Sequence, residues 1–262
     1  MAPLQAGSNR DGQIAMPLPS AIRDMLDRST LIIASNRGPI EFHQTSDGDI
    51  VSKRGTGGVI TAMSAAARYA EAVWVACAIT STDRLLAEQM RQHREPFIDH
   101  PDLEGFRLRF VLPDPEAYRG YYNRIANPLL WFLQHYLWDT PRAPDIDYET
   151  WQAWHHGYVV VNRLFAEEIV AAADVAPREP IVLLQDYHLY LTPTFIREQR
   201  PDLLLYHFIH IPWPDQDYWR LLPIEMRRAI CEGLLANDIV GFQTPRHARS
   251  FLNTVDANLT DA

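Results

Sequence analysis

The feature of this sequence that most limits its possible folds is a series of short, continuous apolar segments. Each is rich in aliphatic and β-branched residues and is bounded by residues that favour turns. Continuous rather than alternating apolar runs are typical of strands that are covered on both faces. The segments are LIIASN (31–36), VWVACAIT (73–80), FRLRFVL (106–112), IVLLQDY (181–187), LLLYHFIHI (203–211) and DIVGFQT (238–244).

Helical patterns separate most of these predicted strands. The alternation predicts an α/β fold with a Rossmann-like, mostly parallel sheet, right-handed crossovers and helices on both faces. One stretch departs from it, because Asp47-Gly48 within 40–54 predicts a hairpin after the first strand. The predicted helices cover 58–70, 83–94, 117–137, 147–173, 190–200, 217–236 and 245–258.

The chain has 262 residues, which suits one large α/β domain or two small ones. We expect residues 1–28 to form a flexible tail and a short helix over 21–28, with Ser20 as its N-cap. The domain proper then covers 29–262. The first residues have no cationic start leading into an apolar stretch, so they do not resemble a secretory signal.

Composition excludes several classes of partner. The net charge of −9 argues against a nucleic acid, which needs clustered Lys and Arg. No apolar run is long enough to cross a membrane. Cys77 and Cys231 lie far apart in apolar segments, which predicts two reduced, buried thiols in a cytoplasmic protein.

Polar residues follow three of the predicted strands at their carboxyl ends. These are Arg37, Asp186 and His210, the last of them followed at once by a turn bracketed by Pro212 and Pro214. Ligands of open parallel sheets bind beyond the carboxyl ends of the strands. The sequence therefore predicts a ligand site at this edge of the sheet.

Glycines before the helix predicted at 58–70 favour an anion site. Gly55, Gly57 and Gly58 would let the backbone approach a ligand, and the free N–H groups of the helix would attract negative charge. Arg37 could add a bidentate contact to a phosphate. The alternative is a glycine turn beside a surface arginine, since there is neither a Gly-x-Gly-x-x-Gly fingerprint nor a Walker lysine.

The segment 118–139 is crowded with aromatic residues. Tyr122 and Trp131 are nine residues apart, and we expect them on similar sides of a helix that borders a sugar pocket. The alternative is packing in the core, which we expect for most of the aromatic residues here, namely Tyr121, Tyr122, Trp131, Tyr136 and Trp138.

Asp186 follows five residues that should be buried, and its carboxylate could accept hydrogen bonds from sugar hydroxyls. The alternative is an N-cap of the next helix. We interpret His188 as a packed or capping histidine rather than a ligand. Asp186, His188 and His210 lack a thiolate and a tight ligand spacing, so we expect no metal site.

Taken together, these segments resemble the trehalose-6-phosphate synthase family of retaining glycosyltransferases. The resemblance runs from residue 31 to about 255 and keeps the order and spacing of the motifs. It implies the amino-terminal half of a GT-B fold, a nucleotide-sugar donor, usually UDP-glucose, glucose 6-phosphate as acceptor, and no cofactor. The matching segments include SNRGPI, GTGGVITAM, YYNRIANPLLWFLQHY, GYVVVNRLFA, QDYHLYLTP, HFIHIPWP and GLLANDIVGFQT.

The resemblance also implies roles for single residues of the acceptor site. Arg37 and Tyr122 would contact the acceptor phosphate, and Trp131 and Asp186 would hold the acceptor sugar. These roles place a hexose phosphate at the edge of the sheet that the strand ends predict.

For the donor, the resemblance implies that Gly57 and Gly58 approach the phosphates through their backbone. His210 would lie at the reacting centre, hydrogen-bonded to the donor sugar. Asp186 and His210 are therefore the predicted catalytic residues.

The sequence departs from the family pattern in three respects. Gln185 stands where histidine is typical, and Phe132 replaces the usual proline. No second Rossmann-like half follows the last motif, so we expect an acceptor domain without its nucleotide-sugar domain, inactive alone and able to self-associate. The alternatives are a sugar-phosphate-binding or regulatory module, or a glucosylglycerol-phosphate or validoxylamine-phosphate type of synthase.

Overall fold

A computed structural model describes most of the chain. The predicted donor residues Gly57 and Gly58, and most of the predicted helix over 58–70, lie outside the described residues. The described residues are 19–55, 60, 63, 70–103, 105–138 and 145–259.

The strands of the described residues form one large sheet and one hairpin. The sheet has six strands in the order β5-β4-β1-β6-β7-β8, and all neighbouring pairs are parallel. The Rossmann-like sheet and the separate antiparallel hairpin of β2 and β3 are therefore both confirmed. The strands are β1 (Ser29–Ala34), β2 (Ile40–Gln44), β3 (Ile50–Arg54), β4 (Glu71–Cys77), β5 (Phe106–Val111), β6 (Glu179–Gln185), β7 (Leu204–Ile209) and β8 (Ile239–Phe242).

Helices connect the strands, and two predictions about them are wrong. Ser20 is the first residue of a helix and not its cap, a position that Pro19 takes. The helix predicted over 217–236 is two helices, because Pro223 has no N–H to continue the first. The helices are α1 (Ser20–Asp27), α2 (Ser81–His93), α3 (115–134), α4 (148–174), α5 (Thr192–Gln199), α6 (Gln216–Trp219), α7 (Ile224–Leu235) and α8 (Pro245–Leu259).

Both faces of the sheet are buried, as the continuous apolar runs predict. Along β1, Ile32 and Ala34 belong to one apolar cluster, and Leu31 and Ile33 belong to the other. Successive strand residues point to opposite faces, so a strand between two cores needs apolar residues at every position. Along this segment the polar residues lie before and after the apolar run, at Ser29 and Thr30 and at Ser35 and Asn36.

The hairpin is fixed to the main sheet by the first turn of α2. Gly48 has a φ of 90°, which suits its place in the tight turn of the hairpin. The backbone N–H of Phe42 donates to Asp83 Oδ1 at 2.8 Å, and Thr80 Oγ1 donates to the Phe42 carbonyl at 2.6 Å. These bonds hold the hairpin against the turn between β4 and α2.

α3 and α4 cross with their backbones in close contact. A Cβ atom at Gly157 would lie 2.6 Å from the backbone nitrogen of Tyr121, and one at Gly120 would lie 3.2 Å from Ala153 Cα. Only glycine allows this approach. The crossing fixes α3 at the carboxyl edge of the sheet, where its aromatic residues meet the strand ends.

Two further observations concern the cysteines and the membrane. Cys77 and Cys231 are both free and buried, as predicted. None of the helices in the described part of the chain combines the length and the apolar character that a bilayer span requires.

Candidate active site

Three neighbouring strands deliver the predicted polar residues to one edge of the sheet. Arg37 follows β1, Asp186 follows β6 and His210 follows β7, and β6 pairs in parallel with both of the others. Parallel neighbours end at the same edge, so these three residues lie along one rim. The order of the sheet strands also reverses between β1 and β6, which is where open α/β sheets form a crevice.

A network of hydrogen bonds fixes the backbone at Arg37. Ser35 Oγ donates to the Arg37 carbonyl at 2.7 Å and accepts from the indole Nε1 of Trp74 at 2.8 Å. The Arg37 side chain itself is 51% exposed, and its Nη1 lies 3.2 Å from Glu41 Oε1. The backbone is therefore held firmly, while the guanidinium is open to solvent.

The surroundings of Arg37 keep its guanidinium charged. Partial burial alone would lower the pKa of Arg37, but the neighbouring Tyr122 hydroxyl and the Glu41 carboxylate outweigh that effect and raise it. A cation with one exposed carboxylate partner can exchange that partner for a phosphate.

Stacked rings hold Tyr122 beside Arg37. Tyr122 lies between Tyr118 and His188, with ring centroids 5.6 and 5.9 Å away and interplanar angles of 9° and 13°. The column continues from His188 to Tyr187 at 4.0 Å, and Tyr187 donates its hydroxyl hydrogen to Asn127 Oδ1 at 2.8 Å. The phenol of Tyr122 is thereby oriented before any ligand arrives.

His188 is a packed residue, as its place in the sequence predicts. Its Nε2 is buried and has no hydrogen-bond partner among the described residues. Burial, followed by the charge of Arg37, lowers the pKa of His188 to about 3. The ring is therefore neutral and stacks as an aromatic surface rather than acting as a cation.

Asp186 has an unusual backbone conformation for a residue other than glycine. Its φ is 67° with a ψ of −178°, a region that costs on the order of 1–3 kcal/mol and tends to occur at functional sites. Two bonds from β7 hold it there. The Asp186 N–H donates to the Phe208 carbonyl at 2.8 Å, and the Asp186 carbonyl lies 2.9 Å from Nε2 of the buried His207.

The carboxylate of Asp186 points toward β7 and not into the next helix. Its Oδ1 accepts the backbone N–H of His210 at 3.2 Å, whereas α5 begins only at Thr192. Asp186 stands at the N-cap position of a short 3₁₀ helix, Tyr187–Leu189, but its side chain makes no capping hydrogen bond there, so the N-cap alternative holds for its backbone position alone. Burial raises the pKa of Asp186 to about 6, although the backbone N–H groups of His210, Tyr187 and Ile211 lower it in part.

The imidazole of His210 is held by β6 and by the turn that follows it. Its Nε2 lies 2.8 Å from Gln185 Oε1, and its ring packs against Phe208 at 4.8 Å. Burial lowers the pKa of His210. In the turn after His210, Trp213 is buried and stacks on Trp219 at 4.4 Å, which anchors the proline bracket.

Trp131 is the last residue of a π-helical stretch of α3, Arg119–Trp131. In a regular α-helix, residues nine apart are separated by two and a half turns and face opposite sides. Tyr122 and Trp131 can therefore face similar sides only because the helix is wider here. Hydrogen bonds from i to i+5 widen each turn, and nine residues then complete about two turns, which brings Tyr122 and Trp131 to similar sides. Trp131 packs between Phe132 and His135, with ring centroids at 5.2 and 4.1 Å.

Tyr118, Gln185 and His207 support the site, although the sequence analysis assigns them no place in it. For Tyr118 and His207 the signal in the sequence was position, because each lies within four residues of a predicted site residue, whereas Gln185 was marked by its departure from the family pattern. Within the described ranges, no group of three or more His, Cys, Asp and Glu side chains is arranged so that it could hold a metal ion.

Comparison with known proteins shows which family has this arrangement. The family model of glycosyltransferase family 20 matches residues 29–261. A trehalose-6-phosphate synthase of Mycobacterium ulcerans is 34% identical over 233 residues, which are 88% of this chain and 42% of that protein. A validamine 7-phosphate valienyltransferase of Streptomyces hygroscopicus subsp. jinggangensis is 31% identical over 235 residues, or 89% and 46%. The chain thus spans less than half of the length of either relative.

A solved structure agrees on the fold. An α,α-trehalose-phosphate synthase (UDP-forming) of Burkholderia xenovorans in complex with glucose-6-phosphate has a TM-score of 0.61 and 21% identity, covering 85% of this chain and 42% of that one. This likeness concerns the fold and agrees with the Rossmann-like half of a GT-B enzyme that the sequence predicts. Because the family model matches nearly all of the sequence, the chain belongs to glycosyltransferase family 20.

Proposed function

We propose that the chain forms the acceptor-binding half of a retaining glycosyltransferase of the trehalose-6-phosphate synthase type. The enzyme would transfer glucose from a nucleotide sugar such as UDP-glucose to glucose 6-phosphate. The observation that carries the proposal is the alignment of Arg37, Asp186 and His210 at the ends of three neighbouring strands. Family membership and the glucose-6-phosphate in the Burkholderia structure support it.

The acceptor phosphate would bind Arg37 and Tyr122. The guanidinium is half exposed and already has an anionic partner in Glu41, and the phenol beside it is held by stacking. A phosphate can accept two parallel N–H bonds from arginine and one O–H bond from tyrosine. Asp186 would accept hydrogen bonds from the sugar hydroxyls, and Trp131 would cover one face of the sugar ring.

Transfer with retention needs positioning more than it needs a protein nucleophile. The nucleotide would leave and the acceptor hydroxyl would attack on one face of the donor sugar. A C–O bond to the acceptor would form as the C–O bond to the nucleotide phosphate breaks, and the departing phosphate would take the hydroxyl proton. His210 would hydrogen-bond the donor sugar, and Gly57 and Gly58 would face the donor phosphates. The contribution of the protein is then orientation and stabilisation of separated charge.

A second candidate is a reaction that uses a phosphorylated cyclitol as acceptor. The relative named for validamine 7-phosphate covers as much of the chain as the trehalose-6-phosphate synthase does. Either acceptor would present a phosphate to Arg37, so the two candidates differ at the ring of the acceptor. Phe132 packs on Trp131 at 5.2 Å and is 42% exposed, so it would lie beside the acceptor ring and contact the groups in which the two acceptors differ.

Calorimetry and thermal unfolding of this chain with glucose 6-phosphate, validamine 7-phosphate and glucose test the proposal. A ligand at a hundredfold excess over its Kd stabilises the fold by about 2.7 kcal/mol. We expect one of the two phosphates to bind and glucose to bind far more weakly. The stronger phosphate identifies the acceptor class, and binding of neither phosphate contradicts the proposal.

The same proposal includes a cytoplasmic location and self-association. Two free, buried thiols agree with a reducing compartment. Phe132, Tyr136 and Leu137 form an exposed apolar stretch near the site, with 42%, 46% and 54% exposure. A second copy or a nucleotide-sugar domain could cover it, and the mass of the chain in solution distinguishes a dimer from a monomer.

A further inference from the structure

Gln185 makes a contact with His210 that the predicted roles do not include. It is the last residue of β6 and is 1% exposed. Its Oε1 lies 2.8 Å from His210 Nε2, while its amide Nε2 donates to the Leu183 carbonyl at 3.4 Å. A carbonyl oxygen can only accept, so the bond to Leu183 sets which end of the amide faces His210.

We infer that Gln185 is a positioning residue that accepts a hydrogen bond from Nε2–H of His210 and so holds the neutral imidazole in one tautomer. A neutral imidazole has one donor nitrogen and one acceptor nitrogen. With the hydrogen on Nε2, Nδ1 is the acceptor. Gln185 thus determines which nitrogen of His210 can receive a hydrogen bond.

A second bond fixes the same residue by its backbone. The N–H of His210 donates to Asp186 Oδ1 at 3.2 Å, and Gln185 and Asp186 are consecutive residues. Ring and backbone of His210 are therefore both attached to the end of β6. Phe208 closes one side of the ring at 4.8 Å. These contacts leave the imidazole little freedom to rotate relative to the Asp186 carboxylate.

The tautomer decides what His210 can recognise. An imidazole with Nδ1 as acceptor can take the hydrogen of a sugar hydroxyl but cannot donate to a sugar oxygen from that nitrogen. This consequence rests on the proposed function, in which His210 meets the donor sugar. The tautomer itself is a property of the chain without any substrate.

Nuclear magnetic resonance of the chain with 15N-labelled histidine tests the inference directly. Long-range 1H–15N spectra show which ring nitrogen is protonated, and a hydrogen-bonded ring N–H exchanges slowly enough with water to be seen. For His210 at neutral pH we expect a protonated Nε2 and a visible N–H signal. Gln185→Met, of similar size, should lose that signal to exchange, and Gln185→Glu, which retains an acceptor oxygen, should keep it.

The exposed Gln89 supplies the matched control, since Gln89→Met should leave the His210 signals unchanged. A protonated Nδ1 in the wild-type chain, or an unaltered N–H signal in Gln185→Met, overturns the inference. Should Gln185→Met not fold, the wild-type tautomer and Gln185→Glu decide the question.

Binding of glucose 6-phosphate, measured on the same samples, separates the inference from the proposed function. Gln185 adjoins Asp186, which the proposed function assigns to the acceptor sugar, so the wild-type chain and Gln89→Met carry this measurement. Loss of the ring signal in Gln185→Met supports the inference whether or not the wild-type chain binds the hexose phosphate. A wild-type chain that binds no hexose phosphate contradicts the proposed function and leaves the tautomer result valid.

Discussion

The two sides of the candidate site are held together in different ways. On the first side, aromatic stacking orients the rings and leaves one guanidinium exposed to solvent. On the second, hydrogen bonds between β6 and β7 connect groups that are largely buried. We name the first the phosphate corner, Arg37, Tyr122 and His188, and the second the β6–β7 corner, Gln185, Asp186, His207 and His210.

In the proposed function, this difference would correspond to two separate roles, ligand binding and positioning of the reacting groups. The exposed guanidinium of Arg37 can exchange the Glu41 carboxylate for another anion while the stacked rings beside it stay in place. The phosphate corner therefore suits binding of a ligand. Rearranging the buried network around Asp186, whose backbone is strained, costs free energy, because each broken hydrogen bond leaves a buried polar group without a partner. The β6–β7 corner therefore suits a fixed geometry around the reacting groups.

The largest expected effect concerns acid stability and the neutral ring of His188. Its pKa is about 3 in the fold and about 6.5 in an unfolded chain. Between these pH values the unfolded state binds more protons, so the free energy of unfolding falls as the pH falls below 6.5. From pH 6.5 to pH 4 this residue should cost about 3 kcal/mol. His188→Phe should retain the stacking and abolish that loss.

Urea unfolding at pH 7 and at pH 4 measures the effect of His188→Phe. The exposed His156 provides a control, because His156→Phe should retain the acid sensitivity of the wild-type chain. Equal acid sensitivity in the wild type and in His188→Phe would mean that the stacked ring is not kept neutral by its surroundings.

Asp186, in the β6–β7 corner, should show the opposite dependence on pH. Its pKa is raised to about 6, so between roughly pH 4 and pH 6 the folded state binds more protons than the unfolded state. The free energy of unfolding should therefore decrease by about 2–3 kcal/mol as the pH rises through that range. In Asp186→Asn this contribution is absent. The free energy of unfolding of the wild type minus that of Asp186→Asn should therefore decrease as the pH rises from 4 to 6. A difference that does not change with pH would contradict the claim that burial raises the pKa of Asp186.

Arg37→Ala should separate capture from stability. Loss of a charged hydrogen bond costs about 1.5–3 kcal/mol, so glucose 6-phosphate should bind about 10 to 100 times more weakly. Because the pair with Glu41 is exposed, the free energy of unfolding should change by less than about 1 kcal/mol. Arg163→Ala, which removes an exposed arginine paired with Glu198, is the control for calorimetry. Unchanged affinity in Arg37→Ala would refute the phosphate corner.

The smallest expected effect comes from Glu41. Its carboxylate lies 3.2 Å from Arg37 and competes with an incoming phosphate for the guanidinium. An exposed pair of this kind is worth up to about 1 kcal/mol, so Glu41→Gln should tighten glucose 6-phosphate binding by up to about fivefold. Weaker binding in the variant, by calorimetry at low salt, would show that Glu41 orients Arg37 instead of competing for it.

The parallel sheet and its candidate ligand-binding edge could be predicted because both follow from simple patterns in the sequence. Continuous apolar runs located the strands, and the rule that parallel strands end together located Arg37, Asp186 and His210. The backbone of Asp186 could not be foreseen, since a positive φ combined with a ψ of −178° is a conformation that essentially only glycine adopts.

The contacts between residues at the ends of β6 and β7 could not be predicted from the sequence either. The bond between Gln185 and His210 depends on the register of β6 and β7, in which Gln185 pairs with Phe208. Register is a property of the folded sheet, and a shift of one residue would send the side chain to the other face. The wide turn of α3, on which the similar orientation of Tyr122 and Trp131 depends, likewise has no signal in the sequence.

The most direct test of the account is a crystal structure of this chain with glucose 6-phosphate. We expect the phosphate to contact the guanidinium of Arg37 and the hydroxyl of Tyr122, with Glu41 displaced from Arg37. Sugar hydroxyls should lie within hydrogen-bond distance of the Asp186 carboxylate, and Gln185 and His210 should stay paired. A hexose phosphate bound elsewhere, with Arg37 still paired to Glu41, would contradict the claim that these strand ends form one acceptor site.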